Sequence, residues 1–401
     1  MAVSIKIYNG IRNVKVLQGC PRFIYALAIL AGLGIAAGLY RLYAGLGPTT
    51  NLSTVFPWGL WISFDLTAVA FSGAAFTLAT LVYVFHMHEL HSAVRPTVLF
   101  GLLGYGSVLV ILFFDLGRWD RFWHFLVYPN LTSALFEVSW CIAIYSIILA
   151  FEFGPVVLEK MKNSRKLLRA HERIIIPMVI AGIVLSSMHQ SSLGSLFVIA
   201  VHRLNPLWYS PLQPEFFLVS SLAAGISTII IGSQASIWLF GQTLGEKVLE
   251  KLGRLLPWIL GLYLTMRLGD LCMGGKLGLL FTSGILSVLY LAEMLLALVS
   301  IIWFSIKRLR SSRKTALIGA VFVAAGILLN RFDVTWFAIK SLDGVGYVPS
   351  LLELTLLAGV ASGILLVYTV VARYFPVFAE TIPMSTGSQQ ERPILGPIQA
   401  P

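Results

Sequence analysis

Apolar stretches of about twenty residues recur along almost the whole chain, and they limit the fold more than any other feature. About twenty helical residues, at 1.5 Å each, cross a hydrocarbon core of about 30 Å. The stretches are continuously apolar and lack the alternation of a lipid-facing barrel strand. With 57% hydrophobic and 12% charged residues and a mean hydropathy of +0.84, the sequence predicts an all-α polytopic membrane protein.

Charges, prolines and glycines divide these stretches into ten predicted membrane helices. They lie at residues 23–44, 57–86, 96–116, 132–157, 172–190, 214–241, 254–273, 280–306, 315–338 and 350–376. The first stretch is too long for a cleaved signal peptide and is predicted to be a retained anchor. The domain prediction is a cytoplasmic segment at 1–22, a ten-helix membrane domain at 23–378, and a flexible cytoplasmic tail at 379–401.

Lysine and arginine are distributed unevenly between the two sides of the predicted membrane domain. Most of the 29 Lys and Arg residues lie in the two termini and the loops on the same side as the termini. Such enrichment is typical of cytoplasmic loops, so both termini are predicted to be cytoplasmic in a plasma-membrane protein. The net charge of +11 reflects this topology and does not indicate nucleic-acid binding.

Two halves of the predicted domain show a similar pattern. Helices two to five and six to nine have the same orientation, and FDLGR (114–118) and RLGDL (267–271) end the second helix of each set. This match predicts two four-helix bundles plus flanking helices, related as a diverged parallel repeat of 57–190 and 214–338.

Charged and polar side chains inside the predicted helices gather toward the outer side of the membrane. Because such residues are costly in lipid, they are candidates for function. The candidate catalytic residues are Asp65, Asp115, Glu137 and His189. Trp58, Trp61 and Asp65 are spaced to share one face of the second helix. His189 and Gln190 are predicted to close the fifth helix, where a structural histidine is the alternative interpretation.

Several neighbouring residues have both a functional and a structural interpretation. Arg118 with Asp115, and Arg267 with Asp270, are spaced i, i+3, so each pair either serves a site or simply neutralises charge. On the fourth helix, Trp140 shares a face with Glu137. A second set of tryptophans and a tyrosine favours an interfacial aromatic belt; its members are Trp119, Trp123, Trp208 and Tyr209.

A route for protons toward the cytoplasm is predicted from charged residues deeper in the chain. Glu152, Glu293 and Arg331 are its core, and Glu293 is predicted to lie near the middle of the membrane. The full candidate set is Glu152, Glu293, Arg267, Asp270, Arg331 and Glu353.

The sequence argues against a haem, an iron–sulfur cluster or another metal site in this chain. Cys20, Cys141 and Cys272 are far apart, and only two of the seven histidines lie near a predicted helix end. A haem with two histidine ligands needs histidines that face each other across helices. The motifs of nucleotide-binding proteins, zinc peptidases and serine hydrolases are missing from the sequence.

Segments in consistent order resemble the NrfD/PsrC-like family of haem-free membrane subunits of respiratory complexes. They include PWGLWISFDL (57–66), YVFHMHELHSAVRP (83–96), NLTSALFEVSWCIAIY (130–145), SSMHQSSLGSL (186–196) and HRLNPLWYSP (202–211). The resemblance favours the ten-helix branch, with HybB, HmcC and DsrP subunits, and within it the DsrP type of sulfate-reduction complexes. The sequence departs from the family at Asn205, where a histidine is usual, and at Asp333, where asparagine is common.

The resemblance implies exchange of electrons between menaquinone, near the outer face, and an extracytoplasmic ferredoxin-like iron–sulfur subunit of a larger redox complex. On this hypothesis His189 and Asp65 bind the ring oxygens, and Glu137 and Asp115 relay protons outward. Arg118 steadies Asp115, and the cofactor-binding candidates are Trp58, Trp61, Gln190, Arg118 and Trp140.

The outer loops 119–129 and 202–214 are predicted to dock the iron–sulfur subunit.

Two other functions fit the same pattern of membrane helices and buried charges. A secondary transporter would place its charged site near the bilayer centre, whereas a passive membrane anchor of a hydrogenase-type complex would bind no quinone.

Overall fold

The computed structural model describes residues 21–54, 56–161, 164–200, 202–240, 244–340 and 346–378. The predicted tail at 379–401 and almost all of the predicted N-terminal segment lie outside the described residues. Within the described part, ten helices are long and apolar enough to cross a membrane. The prediction of an all-α multi-pass membrane protein is confirmed.

The ten long helices are labelled in chain order. They are α1 (Pro21–Ala44), α2 (Leu60–Val84), α3 (Val94–Asp115), α4 (Ala134–Leu158), α5 (Arg165–Ile199), α6 (Gln213–Phe240), α7 (Glu246–Met273), α8 (Ile285–Ser305), α9 (Arg313–Phe337) and α10 (Leu351–Tyr374). Short helical turns occupy Leu46–Thr49, His88–Ala93, Trp119–Arg121, His124–Val127, Leu279–Thr282 and Lys307–Ser311. Wide π-type turns end α2 at Thr80–Val84 and α9 at Asp333–Phe337.

Helix α5 is much longer than the predicted span of 172–190. It continues through the hydroxyl-rich segment to Ile199. The hydroxyls of Ser191, Ser192 and Ser195 each donate to a backbone carbonyl one turn earlier. Because these bonds satisfy the hydroxyls within the helix, the polar segment does not end it. The prediction that His189 closes this helix is therefore wrong.

The helices form two four-helix bundles. In the first bundle, α2 to α5, each helix packs against the next and α5 returns to α2; in the second, α6 to α9 pack in the same cyclic way. Contacts of α6 with α2 and α5, and of α9 with α2, join the bundles. This arrangement confirms two bundles plus flanking helices, whereas the repeat relationship and the membrane orientation remain predictions.

The flanking helices α1 and α10 pair closely with each other. Gly34 and Gly359 face each other at the crossing, where a side chain on either would collide with the backbone of the other. Small residues allow such close approach between membrane helices. The pair lies against α3, with Gly38 of α1 under the ring of Phe114. It therefore covers one side of the first bundle.

Odd-numbered helices end, and even-numbered helices begin, at one end of the molecule. Hydrogen bonds between connecting segments hold this end together, including Lys340 N to Arg203 O at 2.7 Å and Asn205 N to Ala338 O at 2.9 Å. We call it the outer end, following the predicted orientation. At the opposite, inner end, ion pairs such as Arg95–Glu159 link neighbouring helices.

Candidate functional site

Trp61 and Asp65 lie one turn apart on α2, near its outer end. Both are buried, with 1% and 2% of their surface exposed. The indole N–H of Trp61 donates to the carbonyl of Glu353 at 3.2 Å, whereas neither carboxylate oxygen of Asp65 has a hydrogen-bond partner. The predicted shared face with Trp58 is wrong, because α2 begins only at Leu60.

Trp58 instead lies in the segment before α2. It is half-buried, and its ring packs edge-on against Phe197 of α5, with ring centroids 5.6 Å apart. This contact places Phe197 level with the outer end of α2. His189 precedes Phe197 by eight helical residues, so it lies about 12 Å farther into the bundle at 1.5 Å per residue.

His189 is enclosed by the first bundle, with 1% of its surface exposed. Its ring lies 5.7 Å from that of Tyr105 on α3, and the backbone of Val138 on α4 is nearby. Neither ring nitrogen makes a hydrogen bond of ordinary geometry. The next residue, Gln190, donates from Nε2 to the carbonyl of Val69 at 3.0 Å and so fixes α5 against α2.

Glu137 lies in the first turn of α4, where its side chain is exposed. It accepts a hydrogen bond of 2.6 Å from Ser192 Oγ. Ser192 is one helical turn outward from His189, so Glu137 lies between the histidine and the outer surface. Trp140, predicted to bind a cofactor, uses its indole N–H to hold the carbonyl of Phe125 at 3.2 Å.

The prediction that Arg118 steadies Asp115 is wrong. Arg118 is exposed and pairs with Asp120 at 2.9 Å. Hydrogen bonding from Arg118 holds the pKa of Asp120 below its usual range, so the pair is neutralised locally. The cation near Asp115 is Arg41 of α1, which is fully buried. Its Nη2 donates to the carbonyl of Leu116 at 2.7 Å.

The predicted i, i+3 pair of Arg267 and Asp270 is also wrong. Arg267 pairs with Glu293 of α8 at 3.4 Å, and both are buried. Asp270 pairs with Lys276 at 2.8 Å and accepts from Ser210 Oγ at 2.7 Å. Both members of the predicted pair thus have their partners outside α7.

Glu293 is the centre of a buried network in the second bundle. It accepts from Trp208 Nε1 at 2.6 Å and from Asn330 Nδ2 at 3.0 Å. Glu293 is the ninth of the 21 residues of α8, close to the middle of the helix, and Trp208 reaches it from the outer loop. Its depth in the membrane stays a prediction. Trp208 is fully buried, so its assignment to an interfacial belt is wrong, whereas Trp119 and Trp123 are 37% and 42% exposed.

Arg331 and Asp333 extend this network on α9. Arg331 donates to Ser220 Oγ at 2.8 Å and lies 3.7 Å from the ring centroid of Phe217. Asp333, which the site prediction omitted, is fully buried and interacts electrostatically with Glu293. A cavity of about 20 Å³ beside Glu293 and Asn330 is large enough for one water molecule.

The residues of the predicted inward proton route do not form one row. Glu152 is half-buried on α4 and faces Gly182 of α5, with the ring of Tyr145 alongside. Glu293 and Arg331 belong to the other bundle. The three residues thus lie in two different bundles, and a proton route that uses all of them stays a prediction.

Glu353 closes the outer end of α10. It forms a capping box with Ser350 and accepts from the backbone N–H of Asn51 at 2.8 Å. The hydroxyl of Tyr347 donates to its second oxygen. Burial raises the pKa of Tyr347, so the phenol remains a neutral donor. These contacts give Glu353 a structural role in joining the α1–α2 connection to α10.

Among the described residues, three titratable side chains have all of their polar atoms buried without a hydrogen bond of ordinary geometry: Asp65, His189 and Asp333, the last of which lies beside Glu293. A buried polar group without a partner costs about 1–3 kcal/mol, so each one requires an explanation. Asp65 and His189 carry groups that can take up and release protons, and both belong to the first bundle. Among the described residues, no cluster of three His, Cys, Asp or Glu side chains has the arrangement of a metal site; the absence of haem and metal remains a prediction. The fold and these side chains define a polytopic membrane protein with titratable groups buried inside a four-helix bundle.

Comparison with known proteins identifies the family. Residues 48–339, which span α2 to α9, match the family described as polysulphide reductase, NrfD. The chain is 32% identical over 343 residues to the probable Ni/Fe-hydrogenase 2 b-type cytochrome subunit of Escherichia coli, covering 84% of this chain and 87% of that protein. The chain belongs to the NrfD family.

Two further relatives match over most of their length. Over 404 residues the chain is 26% identical to the menaquinone reductase integral membrane subunit of Nitratidesulfovibrio vulgaris, covering 90% of this chain and 95% of the relative. Over 415 residues it is 23% identical to a subunit of the selenate reductase of Mesobacillus selenatarsenatis, covering 89% of this chain and 94% of that relative.

Proposed function

We propose that this protein is the quinone-reactive membrane subunit of a respiratory redox complex and that its substrate is menaquinone or menaquinol. The observation that carries the proposal is the pair of buried, unpartnered side chains, Asp65 and His189, in the first bundle. Family membership supports a redox role, and the name of the Nitratidesulfovibrio vulgaris relative supports the quinone.

The quinone head group lies in the first bundle between α2, α3 and α5. Oxidation of a quinol releases two electrons and two protons, so the site needs groups that accept protons as electrons leave. Asp65 and His189 bind the ring hydroxyls and accept these protons, because a buried carboxylate and imidazole are suited to general base catalysis. In the reverse direction the same groups return the protons to the quinone.

Protons reach the outer surface through Ser192 and Glu137. Ser192 donates to Glu137 at 2.6 Å, and Glu137 is exposed at its far side. The two residues thus continue the line from His189 toward the outer end of α4 and α5. Asp115, at the outer end of α3 near Asp65, offers a second exit.

Electrons pass between the quinone and an extracytoplasmic ferredoxin-like iron–sulfur subunit, which connects to further redox subunits. The outer segment 119–129 is the proposed docking surface, because Phe122, Trp123 and Tyr128 are exposed there by 51%, 42% and 67%. The second predicted docking loop, 202–214, is packed into the protein through Leu207 and Trp208. A DsrP-type complex is the assembly that the sequence resemblance favours.

The chain is proposed to carry electrons without haem or an iron–sulfur cluster of its own. The Escherichia coli relative is named a b-type cytochrome subunit. The haem content of the purified protein therefore tests the proposal directly. The purified subunit should show no Soret absorbance and no pyridine haemochrome. A stoichiometric b-type haem would contradict the proposal.

Coupling to proton movement across the membrane is proposed through the first bundle alone. Tyr105 and Ser186 lie 3.4 Å apart below His189, and Tyr145 follows on α4 with Glu152 beyond it toward the inner end. These residues form a polar column on the inner side of the quinone site. The paired charges of the second bundle are left out of this route.

The test is reduction of the partner's iron–sulfur clusters by a soluble menaquinol analogue in the purified complex. We expect His189→Gln to slow the reaction about 100-fold or more, in the range for loss of a general base. His88→Gln is the matched control, because His88 is exposed at the inner end. Equal rates for wild type and His189→Gln would rule out the assigned role.

A further inference from the structure

Arg41 is a buried polar residue at the outer end of the first bundle, but it lies outside the segment that matches the NrfD family. The NrfD match covers 48–339 and so excludes α1 and α10. Yet Arg41 of α1 has none of its surface exposed, and its guanidinium reaches the α3 terminus at Leu116. A flanking helix therefore contributes a cation to the core of the protein.

Only part of the guanidinium of Arg41 has a protein partner. Nη2 donates to Leu116 O at 2.7 Å, but Nε and Nη1 are buried without a hydrogen bond to any described residue. A guanidinium offers five N–H donors in a planar fork and cannot lose its charge in a protein. Unused donors on a buried cation are costly, so they point to a ligand oxygen.

Unused acceptors lie in the same cluster. Asp115 is close enough to interact electrostatically with both Arg41 and Asp65, although it makes no direct ion pair with Arg41. One oxygen of Asp115 and both oxygens of Asp65 have no hydrogen-bond partner. Unpaired donors and acceptors close together suit a molecule that has both kinds of oxygen, as the quinone and quinol forms of a head group do.

The flanking pair also packs apolar side chains next to these polar groups. Trp61, Ile111 and Leu356 form a buried cluster, against which Ala37 and Leu46 pack from α1 and the turn that follows it. Leu356 belongs to α10, whose carbonyl at Glu353 holds the indole of Trp61. The position of Trp61 therefore depends on the flanking helices.

We propose that α1 and α10 complete the quinone site and that Arg41 is a binding residue that donates from Nε and Nη1 to a ring oxygen of menaquinone. This inference rests on the proposed function. Asp65 holds the same head group from α2, and Asp115 orients the guanidinium. A guanidinium at this position favours negative charge on the ring oxygen as electrons arrive.

The test compares Arg41→Gln, Arg41→Lys and Arg22→Gln in the intact complex, with a menaquinol analogue as the electron donor. Arg22 is exposed at the other end of the same helix, so Arg22→Gln is the matched control. We expect Arg41→Gln to raise KM for the quinol about tenfold or more, as for loss of a charge-assisted hydrogen bond, with a much smaller change in kcat. Arg41→Lys should restore part of the affinity.

A residue that merely held the helices together would lower the amount of folded complex and leave KM unchanged. Wild-type KM in both Arg41 variants would therefore overturn the inference while leaving the proposed function intact. If Arg41→Gln does not accumulate, Arg41→Met takes its place, because it keeps a long side chain but removes every donor and the charge, and a wild-type KM there has the same meaning. Absence of menaquinol turnover in the wild-type complex would overturn the proposed function itself.

Discussion

The two four-helix bundles have the same cyclic packing but differ in how many hydrogen bonds their buried titratable side chains make. In the second bundle Glu293 accepts from Trp208, Asn330 and Arg267, so its carboxylate is surrounded by donors. In the first bundle the oxygens of Asp65 and the nitrogens of His189 make no hydrogen bond of ordinary geometry with the described residues. In the second bundle the oxygens of Asp333 are also unpaired, but this carboxyl lies beside Glu293 and its network. The contrast separates a network that holds helices together from groups that remain available to a ligand.

Helical packing alone does not require groups like Asp65 or His189. A buried charge that has its partners can be retained for structure, whereas a buried group without a partner lowers stability unless something binds it. The second bundle therefore resembles a scaffold, and the first resembles a site. Four predictions separate these roles, from the largest expected effect to the smallest.

Glu293→Gln should destabilise the protein by about 3–5 kcal/mol, because it leaves Arg267 as an unpaired buried charge. The measurement is unfolding in mixed micelles with increasing denaturing detergent. Glu172→Gln is the control, since Glu172 is exposed at the inner end of α5. The folded fraction should keep its wild-type KM for menaquinol, and a raised KM would place Glu293 in the quinone site.

Asp65→Asn should have the opposite effect to Glu293→Gln: it should lower turnover and leave stability unchanged. Loss of the carboxylate removes the proposed proton acceptor, so turnover should fall about 100-fold. Stability should not decrease, because the substitution removes a buried carboxylate that has no partner. Turnover and detergent unfolding, measured on the same preparation, give both numbers. A large loss of stability with normal turnover would reassign Asp65 to the scaffold.

Trp208→Phe tests how far the outer loop supports the second bundle. It removes the indole donor that lies 2.6 Å from Glu293 while keeping an aromatic ring. Loss of a hydrogen bond to a charged group predicts a destabilisation of about 1.5–3 kcal/mol. In the control, Trp123→Phe, the lost bond is an exposed one to the carbonyl of Asp120. Equal unfolding curves for the two variants would contradict the buried role of Trp208.

Arg118→Gln should have the smallest effect. Arg118 pairs with Asp120 at the exposed outer surface, and such pairs contribute little to stability. We expect unchanged unfolding and an unchanged KM for menaquinol. A raised KM would mean that Arg118, and not Arg41, serves Asp115 in the working complex.

The sequence predicts the ten helices well because hydropathy reports directly on burial in lipid. It fails where polar residues continue a helix, as at Ser191 to Ser195, because hydroxyl bonding to the preceding turn is invisible to a hydropathy pattern. It also fails for charge pairs. Arg118, Arg267 and Asp270 have suitable neighbours at i, i+3, but each binds a different residue in three dimensions.

Arg41 shows how far the residues of the candidate site could be predicted from the sequence. Its position in the last turn of an apolar helix is typical of a residue at a membrane surface. Only the packing of α1 against α3 brings its guanidinium to the end of the first bundle. Asp65 and His189 could be predicted as buried polar groups, whereas their lack of partners could not, since it depends on every helix around them.

The central claim is that the first bundle, and not the second, holds the quinone. Photolabelling of the intact complex with an azido-menaquinone, followed by peptide mapping, tests it most directly. The account predicts labels on α2, α3 and α5 near Asp65, Asp115 and His189, and protection by excess menaquinone. Protectable labels confined to α6–α9 would contradict it.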